Sequence, residues 1–300
     1  FQTVNDDSIP NLKISNFNSI IGQRWGTAVA DRRSDPSGPT AVPRPAPALA
    51  MPVDSTPKTI FVAVALCLFC SMIVASAAVS LRPTQGANKL RDKQVNILQV
   101  AGLYEPGIDV GTVFASFEPR SVDMKTGTFT DVFDAATFDD RAASSDPELS
   151  TELKDDPALI GRQSNFTTVY LLKNSDGSLD KVILPIYGYG LWSTLYGFIA
   201  LEENGNDIFG LQFYEHAETP GLGAEVDNPR WKAQWSGKSL RDGEGSLLIQ
   251  VAKGTGPEKH HVDALAGATL TSNGVDNLVK FWMGEAGFAP FLRNLTAGEA

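Results

Sequence analysis

The stretch 263–272 holds the side chains of this chain that are best suited to chemistry. It contains the carboxylate of Asp263 and the hydroxyls of Thr269, Thr271 and Ser272, with small residues such as Gly267 between them. Small residues before a helix let another group approach the backbone closely. The hydroxyls could therefore cap the next helix or face a ligand, and spacing alone leaves both open. The stretch lacks the Gly-Lys-Ser/Thr of a P-loop.

The capping interpretation places the start of the last helix at Asn273. Asn273 with Asp276 three residues later resembles a capping box, and the pattern predicts a helix over 273–285. In that case 267–269 is a simple connection. Thr269 would then be an exposed hydroxyl beside small neighbours.

Two upstream stretches could also bind a ligand. The first, 187–197, mixes aromatic residues with glycine, which suits a flat ring lying on exposed backbone; it also suits a strand end with core aromatics. The second, 216–223, places Pro220 and Gly221 where a type II turn needs them. Such a turn exposes amide donors to an anion or a polar ring edge, or is a turn and nothing more.

Charge limits the range of partners. The formal net charge is −10, so we expect no nucleic-acid partner. Residues 101–160 carry thirteen Asp or Glu against four Lys or Arg. This acidic segment is either a solvated face, which we favour, or a docking surface.

Cysteine and histidine give no metal pattern. Cys67 and Cys70 have the spacing of a redox pair, but they lie in a charge-free apolar run where a thiolate is poorly solvated. We interpret them as apolar filler. The three histidines do not combine with nearby partners into a metal-ligand motif, and we predict no metal site.

An apolar segment over 59–81 predicts a transmembrane helix. It carries no charge between Lys58 and Arg82, and at about 1.5 Å per residue it spans roughly 35 Å. Pro83 should end this helix. The alternative is a cleaved signal peptide with 75–77 as its cleavage site. A signal core is usually shorter, so a retained anchor is favoured.

The residues on either side of the anchor bear on where the native chain starts and on which side of the membrane the domain lies. Residues 35–52 are rich in Pro, Ala and Ser, which predicts disorder, and 1–50 is interpreted as a disordered or extraneous extension with Met51 as the native start. The positive-inside rule alone would put the C-terminal bulk in the cytoplasm. That bias is small, and it rests on Arg82, Lys89, Arg91 and Lys93 after the span against Arg44 and Lys58 before it.

Periodicity predicts an α+β fold with an antiparallel sheet and flanking helices. An amphipathic helix over 88–103 should lead from the anchor and stop at Gly102. The further predictions are strand pairs at 167–172 with 181–187 and at 195–201 with 208–214, a short helix over 229–235 and a strand over 246–251.

These stretches, taken in order, resemble the covalent FMN-binding domain family. The resemblance rests on an apolar anchor followed by Leu-Trp-Ser at 191–193, Glu-Thr-Pro-Gly-Leu-Gly at 218–223 and Ala-Gly-Ala-Thr at 266–269. Leu-Arg-Pro at 81–83, with residues 92–98 and 101–103, narrows the resemblance to the C-subunit family of the Na+-translocating NADH:quinone reductases. The resemblance covers roughly 55–295.

The resemblance implies FMN joined through its phosphate to Thr269 by a flavin transferase that uses FAD. It implies that Asp263 helps the transferase or the local fold. Ala266 departs from the family, which usually has Ser or Thr there. The other implied cofactor-binding residues are Leu191, Trp192, Ser193, Glu218, Thr219, Gly221, Leu222, Gly223, Gly267, Ala268, Leu270 and Thr271.

The resemblance also implies a role. The domain 88–300 would lie on the periplasmic side of the bacterial inner membrane. It would relay electrons from a membrane iron–sulfur centre towards FMN on the B subunit, coupled to sodium export, with the D and E subunits and indirectly A and F as further partners. The alternatives are the G subunit of the related Rnf complex, or a membrane-tethered binding module without flavin.

Overall fold

The computed structural model describes residues 55–300. The predictions for 1–50 and for Met51 therefore lie outside the described residues. Packing divides the chain into two units, Phe1–Leu68 and Phe69–Ala300. Of the first unit, the described part is the start of one long helix.

Helix α1, Thr56–Val100, contains the predicted span. Its apolar part has a mean hydropathy of 2.6 and is exposed. Within residues 55–300 it is the one helix long and apolar enough to cross a membrane. Cys67 and Cys70 on it are free thiols.

The prediction that Pro83 ends this helix is wrong, and so is the prediction of a separate helix over 88–103. Pro83 lies inside one continuous helix. Proline removes one backbone hydrogen bond, but it does not force the flanking residues out of helical conformation. Burial of Ile97 and Leu98 adds a tertiary contribution to the last turns.

The stop at Gly102 is confirmed. Its φ of +75° is the left-handed conformation that glycine adopts without strain. The amide of Leu103 donates to the carbonyl of Leu98 at 2.8 Å, and the amide of Gly102 donates to Gln99 at 3.1 Å. These bonds satisfy carbonyls that the helix end would leave free.

A seven-stranded antiparallel sheet forms the centre of the second unit, in the order β2-β1-β5-β6-β7-β8-β9. Two short pairs flank it: β3 with β4, antiparallel, and β10 with β11, parallel. The strands are β1 Phe117–Asp123, β2 Thr128–Phe129, β3 Ser150–Glu152, β4 Arg162–Ser164, β5 Phe166–Lys173, β6 Leu179–Tyr189, β7 Thr194–Glu202, β8 Asp207–Glu215, β9 Lys238–Ser239, β10 Gln250–Ala252 and β11 His261–Asp263.

Helices lie against both faces of the sheet. On one face, Ile97 and Leu98 of α1 pack with Tyr170, Ile183 and Phe198. On the other, the larger core joins the remaining strands to the last helices. The helices after α1 are α2 Val110–Phe114, α3 Asp140–Ser144, α4 Pro229–Lys232, α5 Thr269–Met283 and α6 Ala289–Ala297, and a 3-10 helix spans Gly223–Asp227.

The α+β class, both predicted hairpins and the short helix after Pro229 are confirmed. The predicted strand over 246–251 is displaced, since β10 is Gln250–Ala252. Helix α5 begins at Thr269, four residues before the predicted start, and α6 follows it. Asn273 is therefore no N-cap, and the capping-box interpretation is wrong. Asp276 instead accepts from the amide of Val251 at 2.7 Å and pairs with Lys280.

Candidate functional site

A buried carboxylate brings the three predicted stretches together. Glu218 is 5% exposed. Its Oε1 accepts from the amides of Leu191 and Trp192, each at 3.0 Å, and its Oε2 accepts from the hydroxyl of Thr271 at 2.7 Å. Leu191 and Trp192 lie in the turn after β6 and Thr271 lies in the first turn of α5, so this one side chain of the loop after β8 joins all three segments.

The same contacts set the ionisation of Glu218. Burial alone raises the pKa of this carboxyl, but the hydrogen bonds from Thr271 and from the Trp192 and Leu191 amides outweigh burial and lower it. Glu218 is therefore ionised near neutral pH. A buried charge of this kind is tolerable because several donors face it.

Glycines leave room for this carboxylate. A Cβ at Gly190 would lie 2.7 Å from Glu218 Oε1. A Cβ at Gly223 would lie 2.6 Å from both Glu218 Oε2 and the Thr271 hydroxyl oxygen. A larger residue at either position would have to displace one of the site's own hydrogen-bonding groups.

The turn after Glu218 has the predicted form. The amide of Leu222 donates to the carbonyl of Thr219 at 3.1 Å, and Gly221 has a φ of +76°. A positive φ at the third residue is the requirement of a type II turn. Residues 219–222 are all exposed, so the turn lies on the surface beside the buried carboxylate.

Helix α5 presents its N-terminus at this site. Thr269 is its first residue and is exposed, and Ala268 precedes it without a side-chain cap. Among the described residues, the Thr269 hydroxyl and the amides of Thr269, Leu270 and Thr271 have no protein hydrogen-bond partner. Uncapped amides at a helix N-terminus favour an anion there.

The loop before Thr269 is fixed by side chains that sequence reasoning missed. Trp231 Nε1 donates to the carbonyl of Asp263 at 2.8 Å. The backbone amide of Asp263 donates to Gln234 Oε1 at 3.0 Å. Ser272 donates to the carbonyl of Ala268 and accepts from the amide of Leu265, both at 2.9 Å. Ser272 therefore closes the loop from within, and its hydroxyl does not face a ligand as the sequence had allowed.

Each of the three segments that Glu218 joins carries an exposed apolar side chain. Trp192 is 65% exposed, Leu270 59% and Leu222 45%. Leu222 also approaches Gly267, whose added Cβ would lie 3.2 Å from the leucine Cδ2. Large apolar side chains left open to water in one neighbourhood indicate a surface that a ligand or partner covers.

A close backbone approach aligns α5 with the turn after β6. A Cβ at Gly274 would lie 2.5 Å from the carbonyl oxygen of Tyr189 and 2.9 Å from Cα of Gly190. The indole of Trp282, two turns further along, donates to the carbonyl of Tyr187 at 2.6 Å. The glycine inside the helix was the one sequence signal that could have revealed this contact.

The predicted site residues therefore differ in position: some contact one another directly, and others are exposed. Leu191, Trp192, Glu218, Gly223 and Thr271 meet directly through hydrogen bonds or close packing. Ser193 contributes from behind, since its hydroxyl oxygen accepts from the amide of Ala217 at 2.7 Å. Thr269, Leu270, Leu222 and Thr219 are exposed at the mouth of the site, and the side chain of Asp263 is also exposed.

The comparisons with known proteins agree on one family. An FMN-binding domain model matches residues 190–284. The C subunit of the Na(+)-translocating NADH-quinone reductase of Pseudomonas aeruginosa is 52% identical over 258 residues, covering 82% of this chain and 98% of the relative. The same subunit of Vibrio anguillarum is 49% identical over 250 residues, covering 82% of this chain and 97% of the relative.

Solved structures agree with the sequence relatives. The crystal structure of Shewanella oneidensis NqrC matches with a TM-score of 0.66 at 38% identity, covering 70% of this chain and 99% of that one. The C subunit of the same reductase from Parabacteroides distasonis matches with a TM-score of 0.57 at 28% identity, covering 71% of this chain and 96% of that one.

The residues present fit a phosphate-bearing aromatic cofactor. The amides at the start of α5 suit a phosphate, and the exposed hydroxyl of Thr269 suits an ester to it. Trp192, Leu222 and Leu270 suit the faces of a flat ring. Within residues 55–300, no cluster of three or more His, Cys, Asp or Glu side chains is arranged to hold a metal.

Proposed function

The chain belongs to the C-subunit family of the Na+-translocating NADH-quinone reductases, and on that premise we propose that it holds FMN covalently on Thr269. The observation that carries the proposal is the exposed Thr269 hydroxyl at the uncapped start of α5, which has no hydrogen-bond partner within residues 55–300 and belongs to one of the three segments that Glu218 joins. The relatives are named for the quinone reductase, so the Rnf alternative has no observation in its favour.

Thr269 is the acceptor in this proposal. Its Oγ attacks the FMN phosphorus of FAD on a flavin transferase, the bond between the two phosphates breaks, AMP leaves, and the threonine proton passes to solvent or base. Gly267 and Ala268 leave the acceptor accessible, since neither has a bulky side chain. The exposed Asp263 side chain supports this encounter or the local fold.

The site residues then have separate tasks. The amides of Thr269, Leu270 and Thr271 would hold the phosphate, and the Glu218 carboxylate, which accepts from the amides of Leu191 and Trp192, keeps these two residues in place. Thr219, Gly221 and Leu222, on the turn, would border the isoalloxazine. The flavin supplies electron uptake and release between an iron–sulfur centre in the membrane and FMN on the B subunit.

The family resemblance implies a wider arrangement, which we propose for this chain. Residues 59–81 span the inner membrane once, residues 88–300 form the flavin domain on the periplasmic side, and residues 1–50 are an extension. The B, D and E subunits are direct partners, A and F indirect ones, and the relay is coupled to sodium export. Lys93 adds little to the positive-inside count that bears on orientation. Its ammonium lies 5.6 Å from the ring centre of Tyr170 and so belongs to the domain.

Replacement of Thr269 tests the attachment. We expect Thr269→Val to abolish flavin fluorescence in a denaturing gel, because valine has no hydroxyl to form the ester. Thr269→Ser is the matched control and should retain fluorescence. Peptide mass spectrometry of the native protein should show the added FMN phosphoester at Thr269. Fluorescence that persists in the valine variant would show that another residue is the acceptor.

A flavin-free native protein, expressed together with its transferase, would instead favour the membrane-tethered binding module. Ala266 is the position where such a failure would start, because the family hydroxyl is missing there. We expect Ala266→Ser to flavinylate at least as completely as the native chain.

A further inference from the structure

A histidine outside the predicted site residues contacts the backbone of Glu218. The Nδ1 of His216 accepts from the amide of Glu218 at 3.2 Å, and its Nε2 lies 2.8 Å from the carboxylate of Asp227. His216 follows directly after β8, and Asp227 ends the 3-10 helix Gly223–Asp227. The imidazole therefore joins the two ends of the segment that carries Glu218 and its turn.

These two contacts fix the tautomer. A backbone N–H can only donate, so Nδ1 must offer a lone pair, and the proton of the neutral ring must be on Nε2, where it donates to Asp227. The His216 side chain is only 11% exposed, which limits exchange of these partners with water. Protonation of the imidazole adds a hydrogen to Nδ1, which removes the acceptor and places two donors face to face.

We propose that His216 is a positioning residue for the flavin site, whose neutral Nε2–H imidazole, oriented by Asp227, fixes the backbone at Glu218. Glu218 in turn holds Leu191, Trp192 and Thr271. A change at His216 Nδ1 is thereby passed to all three segments of the site. The inference rests on the proposed flavin occupying that site.

Other charged groups around His216 have defined roles. His216 shares a pocket of about 490 Å³ with Asn96, Tyr214, Glu215, Asp227 and Lys232, which come from α1, β8, the 3-10 helix and α4. The Glu215 carboxylate is held by both terminal nitrogens of Arg141, at 2.7 and 2.9 Å. The Asp227 carboxylate accepts from the ring Nε2–H, and the Lys232 ammonium donates to Oε1 of Gln212 at 2.7 Å.

Two substitutions separate the two nitrogens of the ring. The oxygen of His216→Asn lies near the position of Nδ1 and can accept from Glu218, whereas the amide of His216→Gln reaches towards Asp227 and leaves Glu218 without an acceptor. Neither side chain titrates. A role limited to filling space would not distinguish them.

The test uses the full chain in detergent, both flavin-loaded and as flavin-free Thr269→Val. Nitrogen NMR of labelled histidine should show the Nε2–H tautomer of His216, and the Glu218 amide resonance should shift as the pH falls from about 8 to about 5. The shift should be lost in both variants. His216→Asn should keep the high-pH position, and His216→Gln should take the low-pH position.

In the flavin-loaded protein, the visible circular dichroism of the flavin should change in the same way. The spectrum of His216→Asn should resemble that of the native protein at high pH, and the spectrum of His216→Gln should resemble that at low pH. Asp227→Ala should increase the Nδ1–H tautomer, and Asp227→Asn should not. An Nδ1–H tautomer in the native protein, or a Glu218 resonance and flavin spectrum identical in all variants, would overturn the proposal. Because the NMR measurement needs no flavin, absence of FMN would refute the proposed function and leave this test intact.

Discussion

Glu218 is the residue on which the site depends most. Its four lone-pair positions receive two amides and one hydroxyl, so loss of the carboxylate leaves three donors unpaired beside a buried space. Sequence spacing selected the three stretches, but it gave no sign that this side chain joins them. The three partners lie 26, 27 and 53 residues away, and no local pattern encodes such a contact.

Acid should weaken the protein through Glu218. Its pKa is lowered in the folded state, so its stabilisation is complete above the unfolded value of about 4.3 and is lost as the pH falls through the folded pKa. We expect Glu218→Gln to lower the free energy of unfolding by about 1–3 kcal/mol at pH 7 and by less in acid. Chemical denaturation at several pH values measures this.

The exposed Glu299→Gln is the control and should leave the profile unchanged. The loss of unfolding free energy caused by Glu218→Gln should be smaller below pH 4 than at pH 7. A loss as large below pH 4 as at pH 7 would contradict the assignment.

Gly223→Ala should damage the site through a single methyl group. The new Cβ would lie 2.6 Å from Glu218 Oε2 and from the Thr271 oxygen, so one of these groups must move. We expect a loss of stability of about 1–3 kcal/mol and a lower flavin-to-protein ratio. Gly243→Ala is the control, because a Cβ there meets nothing within 4 Å. Equal behaviour of the two variants would show that the segment adapts.

At the scale of elements, the sequence predicted those with clear periodicity. Strands β5 to β8 alternate or run apolar between polar turns, and their hairpins were placed correctly. Strand β1 was missed because Glu118, Pro119 and Arg120 interrupt its apolar pattern. That strand is defined by its pairing along β5, which the local sequence does not show.

The prediction of where α5 starts was wrong for a related reason. Asn273 and Asp276 resemble a cap, but Ser272 and Thr271 hold the first turn by bonding to Ala268 and Glu218. Tertiary hydrogen bonds thus replace the side-chain cap that sequence rules expect. This displacement puts Thr269 on the helix and its amides at the site.

Gly274→Ala should separate α5 from the turn after β6. Its Cβ would lie 2.5 Å from the Tyr189 carbonyl oxygen, and backbone cannot swing aside as a side chain can. We expect reduced flavinylation and a loss of stability, although alanine has the higher helix propensity. Asn277→Ala, on an exposed position of the same helix, should be neutral. Flavin content and thermal unfolding of both variants decide the matter.

At the scale of the molecule, the anchor and the domain share helix α1. The sequence divided it at Pro83, because proline rules apply to single positions and cannot account for packing further along. Ile97 and Leu98 at its end belong to the domain core. The membrane segment was found because an uncharged stretch of that length is a strong signal by itself.

Membrane orientation can be measured directly. In a background of Cys67→Ser and Cys70→Ser, the substitution Glu299→Cys places one thiol at an exposed position of the domain. We expect a membrane-impermeant maleimide to label it in intact spheroplasts, as the periplasmic proposal requires. Labelling only after the membrane is opened would put the domain in the cytoplasm. The cysteine-free background is the control for unspecific labelling.

The long sequence separations between Glu218 and its partners also bear on biosynthesis. Contacts between distant residues form late in folding, because the intervening chain must lose its freedom before they contribute. The helix start with Thr269 therefore acquires its native surroundings only after β6, β8 and α5 have come together. A transferase that recognises this surface would modify folded chains and pass over incomplete ones. The flavinylated fraction of a variant would then report how much of it had folded during maturation, which a gel can measure without purified complex.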